Sequence, residues 1–174
     1  LKQMKRAIFL VLFVVAFTAT KAQDDFFEAP NFKAIKHNVM ESSSPYFYPR
    51  LLQKFLAAET ELNLEESRHV YFGYIYQPEY IPVDTSAYNG LLAETISKPS
   101  FSEADHDRVL QYAEALLRED PFNLRALNAK LLVYAQQDND KAYKRVVRQR
   151  KAVQDAIIST GDGISDKTPF YVIK

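Results

Sequence analysis

Apolar residues recur at steps of three and four along most of this chain, the spacing of helices that bury one face. Phe32, Ile35 and Val39 share one side of a segment that follows Pro30, which predicts a helix over 31–41. Leu51, Leu52, Phe55 and Leu56 do the same over 49–59, with Pro49 at the first helical position, where the missing N–H costs nothing. Ser86 is placed to cap a helix carrying Tyr88, Leu91, Leu92 and Ile96. Ser102 caps the next, whose apolar side is Val109, Tyr112, Ala113, Leu116 and Leu117. Leu124 to Ala135 form another, joined through Asp120-Pro121-Phe122-Asn123. A last helix starts at Asn139, carries Val146, Val147, Val153 and Ile157, and takes Gly161 as its C-cap. Phe170 to Ile173 read as one short strand.

The stretch 63–82, NLEESRHVYFGYIYQPEYIP, breaks the single-face pattern. Asn63 with Glu66 three residues on forms a capping box, and Glu65 and Glu66 suit the positive end of a helix dipole. No proline intervenes before Pro78, so a helix over 64–76 is predicted, with a strand over 70–76 as the alternative. Val70, Tyr71, Phe72, Tyr74, Ile75 and Tyr76 cannot share one stripe, and a short helix that is apolar all round is an interior one. Gly73 marks a close approach by another backbone. Glu66, His69, Gly73 and Gln77 follow steps of three and four and make one polar line down this rod. Tyr80, between Pro78 and Pro82 in an extended loop, is placed as a plug or lid.

The fold expected is therefore mainly α, a single helical domain of about six or seven helices with one short C-terminal strand. A lone strand has no ladder partner, so the domain is expected to continue beyond Lys174.

Composition adds location. Lys5 and Arg6 precede an apolar run from Ala7 to Phe17 that is short for a bilayer span, and Thr20-Lys21-Ala22 suits a signal peptidase. Residues 1–22 read as a signal peptide with Met4 as the start, and 23–174 as the helical domain. A periplasmic or secreted location follows, with membrane attachment only through an uncleaved signal segment. The whole sequence holds 22 basic and 22 acidic residues; losing Lys2, Lys5, Arg6 and Lys21 leaves 18 against 22, a net of −4. A chain with no basic excess has no counterions to release, which argues against nucleic acid. There is no cysteine, so disulfides, thiolate metal sites and lipidation at the signal are all excluded.

Candidate chemistry is sparse. Two Glu-x-x-His pairs occur, Glu66 with His69 and Glu103 with His106, but no further core carboxylates complete a di-iron set. Asp162, Gly163 and Asp166 lack the alternating ligands of a calcium loop. No phosphate loop, nucleophile elbow or zinc-helix motif is present. No catalytic residue, metal ligand or cofactor is therefore assigned. Two functions are expected to compete. The first is a non-catalytic binding or scaffolding domain of the bacterial cell envelope, taking a protein, peptide or glycan in an aromatic groove. Its ligand-binding residues would be Glu66, His69, Tyr71, Tyr74, Gln77 and Tyr80, the rings giving contact area at low entropic cost. The alternative is a hydrolase-like enzyme with His69 as general base, oriented by Glu65 or Glu66.

Two resemblances bear on this. The run YAEALLREDPFNLRALNAKLLVYAQQDNDKAY, 112–143, resembles a tetratricopeptide repeat in its DP-x-N link, Leu127 and Tyr134. Lys130, Leu131 and Tyr143 depart from that pattern, so the resemblance implies tetratricopeptide-like hairpins and not a repeat array. YPRLLQKFL, LNLEESRHVYFGYIYQPEY, DPFNLRAL and STGDGISDKTPFYVI, in that order, resemble the family named domain of unknown function 4919. That resemblance implies an uncharacterised exported protein of Bacteroidetes with a β-rich part after Lys174, and it supplies no activity. Ser67 stands where that family commonly has an aromatic residue.

Overall fold

The computed structural model describes residues 27–83, 85–100 and 102–174. The signal segment expected over 1–22 lies outside the described residues. Among the described residues the protein is all-helical: α1 Phe32–Met40, α2 Tyr48–Ala57, α3 Leu64–Phe72, α4 Tyr88–Ile96, α5 Glu103–Glu119, α6 Leu124–Gln136 and α7 Asp140–Ile158. A 3-10 turn, Gly73–Tyr76, extends α3. Among these residues no helix is long and apolar enough to cross a membrane.

The expected capping box forms at α3. Asn63 Oδ1 accepts from the Glu66 N–H at 2.9 Å, and Glu66 Oε2 accepts from the Asn63 N–H at 3.0 Å. A second box of the same kind starts α5, between Ser102 and Asp105. The long helix predicted over 64–76 is shorter than expected, because the α-form ends at Phe72 and tightens into the 3-10 turn. Gln77 must be extended ahead of Pro78, and it sits at ψ 148°, so the rod stops there. At α4 the expected cap is wrong by one residue: Ala87, not Ser86, precedes the helix, and only Leu92 and Thr95 of it are buried.

α3 is the axis of the larger core. Every residue from Ser67 to Tyr74 is buried, and the helix packs against α1, α2 and α7. Phe72, Val70, Phe55 and Val153 are each 1 % exposed or less. Each such side chain contributes roughly 1.5–3 kcal/mol by leaving water. At Gly73 the approach expected of another backbone is made by a side chain instead: an added Cβ would lie 2.6 Å from Val39 Cγ1. A smaller core joins α4, α5 and α6 through Leu92, Val109, Ala113, Leu116 and Val133. α6 presents Leu127 and Leu131 to the first core and Ala126, Ala129 and Val133 to the second, so it couples the two.

Two expectations at the C-terminal end are corrected. Gly161 is not a left-handed cap, since α7 ends at Ile158 with Ser159 as C-cap. Its missing Cβ instead makes room for the returning chain, for a Cβ there would lie 2.3 Å from the Thr168 carbonyl oxygen. The strand expected over 170–173 does not form. Among the described residues no backbone forms a ladder with it, and side chains take several of its polar groups. Tyr171 N–H donates to Thr160 Oγ1 (2.9 Å), Ile173 N–H to the Tyr71 hydroxyl (3.4 Å), and the Tyr80 hydroxyl to the Ile173 carbonyl (2.6 Å).

α6 closes in a Schellman motif. Asn139 N–H reaches the Tyr134 carbonyl (2.9 Å), Asp138 N–H reaches that of Ala135 (3.4 Å), and Asp138 has φ 51°. Asp138 is exposed, so glycine there relieves left-handed strain without uncovering apolar surface. Asp138→Gly is expected to stabilise by about 1 kcal/mol, read as a rise of roughly 2–4 °C in a thermal melt. An unchanged or lower Tm would contradict this.

Candidate functional site

The polar line down α3 is real in sequence but does not floor a groove. Glu66 is held from the side by Lys54, whose Nζ donates to both carboxylate oxygens at 2.7 and 2.8 Å. Burial pushes this carboxyl up, but the Lys54 ammonium and the Asn63 N–H outweigh it and hold the group below the usual carboxylate range. Asp105 is lowered too, by Lys98, the Ser102 hydroxyl and the Ser102 N–H. For groups lowered in the folded state, the stability they bring is complete above the unfolded carboxylate pKa of about 4 and is lost as pH falls through their folded values. Urea unfolding is therefore expected to show falling stability below about pH 4, with the loss at its acid end smaller in Glu66→Gln. Identical acid limbs for the two proteins would contradict the assignment.

His69 is 5 % exposed. Its ring lies flat against Tyr46, centroids 4.0 Å apart and planes 10° from parallel. Asn38 Nδ2 donates to Nε2 at 3.0 Å, and Nδ1 faces the Glu65 carbonyl at 2.7 Å. A donor on one nitrogen and an acceptor on the other fix the tautomer with the proton on Nδ1. The Glu65 carboxylate stands 3.7 Å from the same nitrogen. Both ring nitrogens are thus occupied from within the protein.

Tyr71 and Tyr80 turn to the C-terminal segment through the bonds to Ile173 given above. Burial pushes the Tyr71 phenol up to about 12, against the Ile173 N–H that lowers it. Tyr74 is 2 % exposed, and its hydroxyl lies 3.2 Å from the carbonyls of both Glu79 and Glu119. Its phenol is also pushed up to about 12, first by burial and then by the Asp120 charge. Gln77 Nε2 donates back to the Gly73 carbonyl at 3.1 Å. The six residues expected to share a groove are therefore divided. Glu66 and His69 serve the helix packing, Tyr71 and Tyr80 hold the last residues, and only Tyr74 and Gln77 reach an open site.

That site is a cleft of about 760 Å³ between α2, the 77–79 loop, α5, α6 and α7. The volume is within the range of small-ligand and peptide sites. Leu52, Leu117, Leu127 and Val146 give it an apolar lining, with the rings of Tyr48, Tyr74 and Tyr134. Lys130, on α6, pairs with Glu114 of α5 and stands near the Tyr134 ring. Arg145 Nε donates to the Ala57 carbonyl at 3.0 Å, helping to close the C-terminal end of α2. Arg118 borders both this cleft and a second one beside the 79–86 loop. The Tyr48 hydroxyl is buried and makes no hydrogen bond among the described residues. Burial, reinforced by Tyr74 and Glu79, pushes its phenol well above the ordinary range. A buried hydroxyl without a partner costs on the order of 1–3 kcal/mol.

Tyr48, Tyr134, Arg118, Lys130 and Arg145 come from four helices with no common spacing, so no motif could assemble them. One signal was present. Lys130 stands where the tetratricopeptide pattern expects an apolar residue, and here it lines the cleft. Among the described residues no group of three or more His, Cys, Asp or Glu side chains is arranged to hold a metal ion.

Nothing matches among curated proteins or among solved structures. The sequence model of one family, described as Domain of unknown function (DUF4919), matches residues 33–174. Those residues hold the cleft, the buried α3 rod and the C-terminal segment together, and this chain belongs to that family.

Proposed function

We propose that this is a non-catalytic binding domain of the bacterial cell envelope, exported by a signal peptide cleaved near Ala22, which takes a protein or peptide partner in the cleft between α2 and α5–α7. The observation that carries the proposal is the cleft itself: an apolar space lined by the rings of Tyr48, Tyr74 and Tyr134. A concave, largely apolar space of this size with a few polar groups at its border is the usual setting of a binding site. The α5–α6 pair, read as a tetratricopeptide-like hairpin, supplies one wall. The groove expected on Tyr71 and Tyr80 is replaced in this proposal by the cleft that keeps Tyr74 and Gln77.

Ala142 lines the cleft and is half-buried, so Ala142→Trp fills the space from its edge. Envelope extract passed over the immobilised full chain is expected to leave a partner on the native protein and none on Ala142→Trp, with the same helical circular dichroism for both. Equal retention by the two proteins would place binding elsewhere, and no retention by either would remove the proposal.

A further inference from the structure

We infer that the occupant of the cleft is an acidic peptide segment, with an aliphatic side chain on the apolar floor and carboxylates drawn to Arg118 and Arg145. This rests on the cleft being the binding site, and names what it recognises. The cleft is bordered by three cations and two acids, Glu79 and Glu114. Glu114 is already neutralised by Lys130. Arg118 is exposed and has no ion-pair or hydrogen-bond partner among the described residues. Arg145 spends only Nε on the Ala57 carbonyl, so its two terminal nitrogens remain to meet a carboxylate. Lys141 and Arg148 on α7 add charge of the same sign, while Lys144 is paired with Asp140.

The two open cations come from α5 and α7, around a floor of Leu52, Leu127 and Val146. A chain that alternates apolar and acidic side chains matches that layout, filling the floor and meeting the rim with charge. An uncharged glycan offers Arg118 and Arg145 hydroxyl acceptors but no opposite charge, so it repays their desolvation less well than a carboxylate does.

The test uses the full chain and three fluorescent pentapeptides, one alternating glutamate and leucine and two with glutamine or lysine in place of glutamate. Fluorescence anisotropy is expected to rank them glutamate, glutamine, lysine in falling affinity, with the glutamate peptide weakened by added salt. Arg118→Gln and Arg145→Gln are each expected to weaken the glutamate peptide about 3–10-fold and to leave the glutamine peptide unchanged. Equal affinity for the glutamate and glutamine peptides, or indifference of the glutamate peptide to both arginine variants, overturns the acidic assignment and leaves the cleft as a binding site. Binding that Ala142→Trp does not reduce, or no binding of any peptide, overturns the cleft reading as well.

Discussion

Arg68→Ala is expected to cost about 3 kcal/mol, the scale for removing one partner from a buried charged network. At this chain length that is a fall in Tm on the order of 10 °C. Arg68 is 5 % exposed. It donates to Ser159 Oγ at 2.6 Å, to the Glu28 carbonyl at 3.0 Å and to the Ala29 carbonyl at 3.4 Å. Its nearest carboxylate, Glu65, is 4.0 Å away and more than half exposed. The guanidinium therefore works mainly as a fork of donors that fastens the segment before α1 to the end of α7. The Glu28 N–H, which reaches the Ser159 carbonyl at 3.0 Å, belongs to the same fastening. In Arg68→Ala the Glu28 amide is expected to lose its protection from hydrogen exchange while amides in α5 keep theirs. Arg68→Met restores volume and no donors, so its loss of stability is expected to approach that of alanine. A melt unchanged by either variant would show that the fork contributes nothing.

The helices were legible wherever one face is apolar and an end is marked. Asn63, Ser102 and Asn139 announce their helices, and each accepts the backbone N–H that a cap should. α4 was least well read, because Tyr88 and Leu91 fit the core stripe by spacing and yet stand 36 % and 41 % exposed. Only its Leu92 side closes on α5, so periodicity there reports which residues could face inward and not which do. The C-terminal segment misled for a different reason. Phe170 to Ile173 have strand-like residues, but strand formation depends on a second backbone, and this one is met by tyrosine and threonine hydroxyls. The candidate site was half legible. Steps of three and four place Glu66, His69, Gly73 and Gln77 on one line, but a line on a buried rod meets a different neighbour at each turn. Lys54 takes the first, Asn38 and Tyr46 the second, Val39 the third, and only Gln77 reaches the cleft. The cleft itself is a product of how α2, α5, α6 and α7 come together, and nothing local in sequence encodes it.

His69→Ala is expected to lower stability by about 2–3 kcal/mol, through the lost ring contact with Tyr46 and two lost hydrogen bonds. The larger part comes from what is left behind. The Asn38 amide loses its acceptor and the Glu65 carbonyl its side-chain donor, while the space beside Tyr46 is emptied. His69→Phe separates these contributions, since it keeps a ring against Tyr46 and removes both polar contacts. It is expected to recover part of the lost stability, with the unsatisfied Asn38 setting the remainder. Peptide affinity should stay the same in both variants, because His69 is not among the residues that border the cleft. A general base would behave in the opposite way. It would leave the melting curve nearly intact and abolish a reaction, because its proton-accepting nitrogen must be open to substrate. Thermal melts beside peptide anisotropy on the same preparations decide between the two. A lowered Tm with unchanged affinity is the signature of a histidine that locks α3 to α1, and an unchanged Tm would return His69 to the list of working residues.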